Sequence, residues 1–291
     1  MQDQKANRLA LGTVQFGLDY GINNQRGQVS AEEINQILNL AAKEGIDLLD
    51  TAHAYGNSEI QLGANDLQFF KIVSKLPPDA KTPVEVNAYF EASLQNLKQD
   101  KLYGYLLHQF SSVEQEPSLW PAFQQLKKKD LVQKIGFSLY SPRELHYLWK
   151  HQLEFDLLQV PFNIFDQRFA PYFEKLKNKG VEIHTRSTFL QGLFFKPLEQ
   201  LPSHFEKIRP KLDQIRAIAT EAQLSIADLC LGFVLANPLI DKIVIGVDNA
   251  HQLAANLQAV EHVRNIASYL SVLKSLEEQE EVIINPAKWK V

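Results

Sequence analysis

Four polar residues in the first part of the chain have the types needed for proton transfer to a carbonyl compound: Asp50, Tyr55, Lys75 and His108. A tyrosine, with an ordinary pKa of about 10, becomes a better proton donor or acceptor when its surroundings lower that pKa. A nearby lysine ammonium does so, and a carboxylate paired with the lysine holds the ammonium in place. A neutral histidine can orient a substrate carbonyl. The set is suited to protonating the alkoxide that develops during carbonyl reduction.

Three of these residues, Asp50, Lys75 and His108, each end a short apolar run. Taken singly, each has an ordinary structural explanation, as a helix cap, a solvated lysine or a core histidine. In a barrel of parallel strands, however, the carboxyl ends of the strands form one face, and that face carries the chemistry. We therefore expect the side chains to converge on a single cavity mouth.

Strand-like runs alternate along the chain with amphipathic stretches that are typical of helices. Ser30, with Glu33 three residues later, has the pattern of a capping box, and Pro117 and Pro142 lie where they would open further helices. The strand-like runs lie at about 9–12, 47–50, 71–75, 103–108, 134–139, 157–162, 181–187 and 242–247. This order predicts an α/β fold, a (β/α)8 TIM barrel, as one domain spanning residues 1–291. A doubly wound sheet also alternates, but no GxGxxG motif follows any of the strand-like runs.

The composition is that of an ordinary globular protein, with 45% hydrophobic and 22% charged residues among 291. The net charge of -4 argues against nucleic-acid binding, which needs a basic surface. The single cysteine, Cys230, allows neither an intrachain disulfide nor a thiolate metal cluster. The polar N-terminal segment and the lack of a long apolar stretch predict a cytoplasmic protein without a membrane partner. The composition leaves the oligomeric state open, and the spacing of histidines predicts no metal site.

Residues 50–59, DTAHAYGNSE, resemble the DTAxxYGNSE signature of the aldo-keto reductase family, NAD(P)H-dependent oxidoreductases with a (β/α)8 fold. The segments that end in Lys75 and His108 resemble the strands that carry the family's catalytic lysine and histidine. The resemblance implies that Tyr55 is the general acid, that Lys75 lowers its pKa and that Asp50 pairs with Lys75. His108 would orient the carbonyl of a small-molecule substrate.

The resemblance also implies a cofactor site that draws on most of the chain. Ser138 and Gln159 match carboxamide contacts, whereas Leu139 stands where the family usually has an asparagine and cannot make that bond. Arg186 stands where a tyrosine usually stacks on the nicotinamide; a guanidinium can also stack, but its charge predicts weaker binding of the oxidised cofactor. The implied cofactor-binding residues are Gly12, Thr13, Ser138, Gln159, Arg186, Ser187, Gly192, Gly246, Asp248, Gln252 and Asn256.

The choice of nucleotide is less clear from the residues. Family members selective for NADPH often carry lysine or arginine where this chain has Gly246 and Gln252, with Asp248 close by. A carboxylate repels a 2′-phosphate and accepts a hydrogen bond from a ribose hydroxyl instead. The family's habit favours NADP(H) slightly over NAD(H), while these residues favour NAD(H).

Residues 15–24 and 186–192 resemble a bacterial branch of the family that is associated with polysaccharide biosynthesis, which suggests a sugar-derived carbonyl by analogy. Two alternatives remain open. One is a regulatory or interaction protein that binds cofactor on the same fold with little turnover, and the other is a lyase or isomerase that uses Lys75 as a Schiff-base amine. The tail with Trp289 either closes over the mouth or packs on the barrel.

Overall fold

The computed structural model describes residues 7–22, 24 and 26–289. Eight parallel strands form a closed barrel in chain order, with the last strand paired to the first. They are β1 (Leu9–Gly12), β2 (Leu48–Asp50), β3 (Lys71–Leu76), β4 (Leu102–Leu107), β5 (Val132–Ser138), β6 (Leu157–Pro161), β7 (Glu182–Arg186) and β8 (Lys242–Gly246). The prediction of a (β/α)8 TIM barrel is confirmed.

The strands alternate with helices that cover the outside of the barrel. The α-helices are α1 (Val14–Gly17), α2 (Ala31–Lys43), α3 (Ser58–Gly63), α4 (Pro83–Leu97), α5 (Phe110–Gln115), α6 (Leu119–Lys128), α7 (Pro142–Lys150), α8 (Phe173–Asn178), α9 (Arg209–Ala222), α10 (Ile226–Leu235), α11 (Ala250–Glu261), α12 (Leu270–Ser275) and α13 (Glu281–Ile284). Short 3₁₀ segments are Ala170–Tyr172, Leu190–Phe195, Leu198–Gln200, Ser203–Ile208, His262–Tyr269 and Pro286–Lys288.

Local sequence accounts for several helix starts. The Ser30 hydroxyl accepts a hydrogen bond from the N–H of Glu33, and Pro142 occupies the first turn of α7, as predicted. Pro117 lies outside its helix, because Ser118 is the N-cap of α6. Helix α2 then buries Ile34, Ile37, Leu38 and Ala41 against the barrel, a spacing that places them on one helical face.

A second, smaller core fills the barrel interior. It consists of Ala10, Leu48, Val73, Leu106, Leu157 and Val244, all buried. Side chains along a strand alternate between its two faces, so the residues two positions further on point the same way, one layer nearer the carboxyl ends. Those six residues are Gly12, Asp50, Lys75, His108, Gln159 and Gly246. Each of them was predicted to belong to the site, and strand alternation is what assembles them.

A charged cluster lies below the apolar layer, near the amino ends of the strands. The carboxylate of Glu182 accepts a hydrogen bond from the Tyr103 hydroxyl at 2.7 Å, lies 2.6 Å from Nε2 of His184 and pairs with Lys134. Burial raises the pKa of Glu182, but these partners outweigh burial and hold the pKa well below its ordinary range. The barrel is therefore closed at this end by paired charges.

Among the described residues no single helix is long and apolar enough to cross a membrane; one bent pair, Ser203–Ala222 with Ile226–Leu235, has the length and composition only when its two helices are taken together.

The C-terminal segment packs on the protein: Trp289 donates from Nε1 to the carbonyl of Ile283 at 2.9 Å and meets the ring of Phe205 edge-on. Its indole is thus part of the packing on the barrel.

Candidate active site

A cavity of about 480 Å³ opens at the carboxyl ends of the strands. This volume is within the range of about 300–1,000 Å³ that is common for ligand sites. Its lining includes all the residues predicted to bind cofactor, together with Asp50, Tyr55 and His108. Lys75 does not line the cavity; it lies completely buried beside Asp50.

The floor of the cavity is a buried ion pair. Nζ of Lys75 donates to Oδ1 of Asp50 at 2.6 Å and to the carbonyl of Thr51 at 2.8 Å. Oδ2 of Asp50 accepts from Nε2 of Gln159 at 2.7 Å. Burial lowers the pKa of Lys75, and the neighbouring Asp50 works against that shift. Gln159 thus uses its amide nitrogen to hold the carboxylate, which leaves its Oε1 for a ligand.

Tyr55 stands above this pair on the loop that follows β2. Its ring meets His108 edge-on, with centroids 5.5 Å apart, and Nζ of Lys75 lies 5.1 Å from the centre of the Tyr55 ring. Burial and the charge of Asp50 raise the pKa of Tyr55 above its ordinary value, while Arg186 works to lower it. The sequence predicted a lowered pKa, and the difference arises because burial, the largest cause, and the charge of Asp50 outweigh the effect of Arg186. A raised pKa keeps the phenol protonated, as a proton donor requires.

Two glycines bring the Tyr55 loop against the start of the chain. A Cβ on Gly17 would lie 1.8 Å from the Tyr55 carbonyl oxygen, and Gly56 adopts a φ of +56°. The hydroxyl of Ser58 adds an anchor, since it donates to the carbonyl of Thr13 at 2.8 Å. No side chain fits between the two segments, so Gly17 is a positioning residue that sequence reasoning missed.

His108 has its own electrostatic setting. Burial, with help from the charges of Lys75 and Arg186, lowers its pKa from 6.5 to about 3. The imidazole is therefore neutral at ordinary pH. Its Nδ1 has no hydrogen-bond partner among the described residues. His108 is only partly buried and lines the cavity, so a ligand there can contact the exposed part of its ring.

Arg186, at the end of β7, stacks on a residue that the sequence analysis did not name. Its guanidinium carbon lies 4.0 Å from the centre of the Tyr140 ring, and Nη2 donates to the carbonyl of Leu139 at 3.1 Å. Leu139 itself is completely buried, whereas Tyr140 lines the cavity. Strand alternation after the inward-facing Ser138 was the signal for Tyr140, since residues 138 and 140 share a face. The residue that replaces the family's asparagine therefore does not line the cavity.

A bridge crosses the mouth of the cavity between two loops. Nε2 of Gln191 donates to the Tyr20 hydroxyl at 2.6 Å. The loop that carries Gln191 has a run of positive φ values at Ser187, Leu190, Gln191 and Gly192, of which the first three are unusual for residues with a side chain. Such strain is typical of functional loops. Nothing in the residue types around Tyr20 and Gln191 indicated the bridge.

The far end of the cavity holds the residues predicted to bind the adenosine half of a dinucleotide. Asp248 and Gln252 pair reciprocally: Nε2 of Gln252 donates to Oδ2 of Asp248 at 3.1 Å, and the Asp248 N–H donates to Oε1 of Gln252 at 2.9 Å. Asn256 is buried, and its side chain has no hydrogen-bond partner among the described residues. A Cβ on Gly246 would lie 2.6 Å from Nε2 of Gln15. An amide without a partner beside an open cleft fits a nucleotide base.

Comparison with known proteins agrees with this geometry. The family model described as "Aldo/keto reductase family" matches residues 8–275. The chain belongs to the aldo/keto reductase family. Membership supports an oxidoreductase that acts on carbonyl compounds in general, with a nicotinamide cofactor of the NAD(P)H type. The part of this reductase that the structure describes contains no group of three or more His, Cys, Asp and Glu side chains placed to hold a metal ion.

Individual relatives of this reductase are distant. An uncharacterized oxidoreductase of Bacillus subtilis, YqkF, is 24% identical over 271 residues, which are 84% of this chain and 87% of the relative. An L-galactose dehydrogenase of Arabidopsis thaliana is 24% identical over 309 residues, covering 96% and 92%. The aldo-keto reductase AKR11C1 from Bacillus halodurans, solved in its holo form, superposes with a TM-score of 0.74 at 19% identity, covering 97% and 95%. That structural likeness shows the shared fold.

Proposed function

We propose that this aldo/keto reductase reduces an aldehyde or ketone to an alcohol with NAD(P)H, and that Tyr55 donates the proton. One observation supports the proposal above all: Tyr55 and His108 meet edge-on directly above the buried Asp50–Lys75 pair, at the mouth of a cavity whose lining includes every predicted cofactor contact. The whole chain, residues 1–291, is proposed as a single barrel domain.

The cofactor supplies a hydride to the carbonyl carbon when it is bound. Ser138 and Oε1 of Gln159 are proposed to hold the carboxamide, and Asn256 to bind the adenine. Gly12 and Thr13 would form the wall of the cleft, with Ser187 and Gly192 near the pyrophosphate. Gly246, Asp248 and Gln252 would meet the adenosine ribose. Arg186, with one face on Tyr140, leaves its other face for the nicotinamide ring.

Side chains of the protein then orient the carbonyl and supply the proton. The neutral ring of His108 holds the carbonyl oxygen near the phenol of Tyr55, and the O–H of Tyr55 is donated to that oxygen as negative charge develops on it. The ammonium of Lys75, 5.1 Å from the centre of the ring, stabilises the phenolate that remains. Asp50 and Gln159 keep Lys75 in its place throughout.

Two finer points belong to the proposal. A sugar-derived carbonyl is the proposed substrate class, in keeping with the relative named L-galactose dehydrogenase. For the nucleotide, the habit of the family slightly favours NADPH, whereas the Asp248 carboxylate favours NADH, because it repels a 2′-phosphate. Both cofactors are therefore tested side by side.

The test is Tyr55→Phe, with Tyr89→Phe as its matched control, because the Tyr89 hydroxyl pairs with Asp79 and lies outside the cavity. Tryptophan fluorescence gives the Kd of NADPH and of NADH, and loss of absorbance of the reduced nicotinamide gives turnover with a panel of carbonyl sugars. Tyr55→Phe should lower kcat by about 10²- to 10⁴-fold with little change in Kd.

Three results would contradict the proposal. Turnover that survives in Tyr55→Phe would remove Tyr55 as the proton donor. A wild-type protein that binds neither nucleotide would instead support the regulatory alternative. A Lys75 that is trapped by borohydride on a carbonyl substrate would support the Schiff-base alternative.

A further inference from the structure

Arg186 carries a positive charge into the cavity without a carboxylate to balance it. Arg168, another partly buried arginine, pairs with Asp166 at 2.9 Å and with Glu281 at 3.6 Å. Arg186, by contrast, has no carboxylate within 4.0 Å among the described residues; its hydrogen bonds go to the Leu139 carbonyl and, at 3.4 Å, to the Ser187 hydroxyl. Charged groups removed from water are normally paired, so an unpaired guanidinium in a cleft is a site for an anion.

Neighbouring acids do not supply the missing charge. Asp50 is engaged by Lys75 and Gln159. The carboxylate of Glu144 caps the next helix, where it accepts from the backbone N–H of Tyr140 at 2.6 Å and of Ser141 at 3.2 Å. Both carboxylates have other hydrogen-bond partners, so neither occupies the N–H groups of Arg186.

The guanidinium is also held in one orientation. Stacking on Tyr140 at 4.0 Å and the hydrogen bond to the Leu139 carbonyl restrict its plane. Nε donates to none of the described residues, and neither bond that is made uses all of the hydrogens on its nitrogen. A planar fork with free N–H groups matches the geometry of a carboxylate or a phosphate.

We infer that the carbonyl substrate carries an anionic group, a carboxylate or a phosphate, and that the N–H edge of Arg186, whose free face is proposed for the nicotinamide ring, binds that group while Tyr55 and His108 meet the carbonyl. The inference rests on the proposed function and narrows its substrate to an anionic aldehyde or ketone, such as an oxidised or phosphorylated sugar. The phosphates of the cofactor are the rival source of an anion. Arg186 lies near the reacting end of the cavity, as its effect on the pKa of His108 and Tyr55 shows, and the reduced nicotinamide ring there is neutral.

The experiment compares substrates that differ only in charge: para-carboxybenzaldehyde and its methyl ester. Values of kcat/KM are measured for both with saturating reduced cofactor, in the wild type, Arg186→Met and Arg186→Lys. The control is Arg143→Met, which removes the same charge from an exposed position outside the cavity. Arg186→Met should lower the ratio of the acid's kcat/KM to the ester's by roughly 10- to 100-fold, because a charge-assisted hydrogen bond is lost. Arg186→Lys should retain part of the preference, and Arg143→Met all of it.

A binding measurement separates this inference from the proposed function. Calorimetry compares benzoate with benzamide, which are not reduced, in the same variants with and without NADPH. The inference stands if the wild type prefers benzoate and Arg186→Met does not. It is overturned if the preference is absent or survives in Arg186→Met, or if that variant weakens cofactor binding while the acid-to-ester ratio stays unchanged. Failure of the proposed function has another signature: neither aldehyde is reduced, whatever the benzoate titration shows.

Discussion

Replacing Lys75 alone should destabilise the protein far more than replacing Lys75 and Asp50 together. Lys75 is completely buried, and Asp50 is only 3% exposed, so neither charge has water as an alternative partner. In Lys75→Met, Asp50 keeps the hydrogen bond from Gln159 but loses its counter-ion at 2.6 Å. In the double variant Asp50→Asn, Lys75→Met, no charge remains to be solvated.

The expected size follows from the burial of the pair. Removing one partner of a buried ion pair costs about 3–5 kcal/mol, whereas replacing both is often close to neutral. For a chain of this length, each kcal/mol corresponds to roughly 2 °C in Tm, so the single variant should melt about 6–10 °C lower. An exposed pair gives the contrast: Lys101 and Asp130 lie 3.5 Å apart at the surface, and Lys101→Met should cost no more than about 1 kcal/mol.

The assay is urea unfolding at neutral pH, followed by tryptophan fluorescence, for the wild type, both single variants, the double variant and Lys101→Met. The double variant should recover most of the stability that Lys75→Met loses. Additive losses at Asp50 and Lys75 would refute the reasoning, because they would show that the two charges are solvated independently of each other.

Three further predictions concern single groups around the cavity. Because the folded pKa of His108, about 3, lies below its unfolded value of 6.5, its contribution to stability is complete above pH 6.5 and is lost as pH falls towards 3. His108 should contribute up to about 1.4 kcal/mol per pH unit to the change of the free energy of unfolding with pH. In His108→Gln, the free energy of unfolding measured by urea titration should therefore change less between pH 6.5 and 3. An unchanged dependence on pH would contradict the lowered pKa of His108. Asp248→Ala should lower the Kd of NADPH relative to that of NADH by up to about fivefold. Equal changes in the two Kd values would mean that the carboxylate lies away from the ribose. Tyr20→Phe removes the bridge to Gln191 and should speed cofactor dissociation about fivefold in stopped-flow fluorescence; an unchanged rate would mean that the bridge does not hold the bound cofactor.

The barrel could be read from the sequence because it depends on local pattern, whereas most of the residues predicted to line its cavity were named from the resemblance to the family. In any strand, residues two positions apart point to the same face, so Leu48 and Asp50 share a face, as do Val73 and Lys75, independently of the rest of the fold. The position of Pro142 in the first turn of α7 is equally local.

What sequence reasoning missed depends on partners that are distant in the chain. The hydrogen bond from Gln159 to Asp50 spans 109 positions, and the bridge from Gln191 to Tyr20 spans 171. The predicted direction of the shift in the Tyr55 pKa was also wrong. Burial and Asp50 raise this pKa while Arg186 lowers it, and residue types alone do not show which effect is larger. The stacking of Arg186 on Tyr140 is another such tertiary outcome.

The apolar layer formed by Ala10, Leu48, Val73, Leu106, Leu157 and Val244 insulates the reacting groups from the charged cluster around Glu182 below them. Hydrocarbon side chains neither take up nor release protons, so these six residues offer no proton path between that cluster and Tyr55. In the proposed reaction, we expect the proton that Tyr55 gives to the product to be replaced from solvent at the mouth of the cavity, which is also the route by which the product leaves. We expect the phenolate to take up this proton once the alcohol has left, so that each turnover ends with the site open to water.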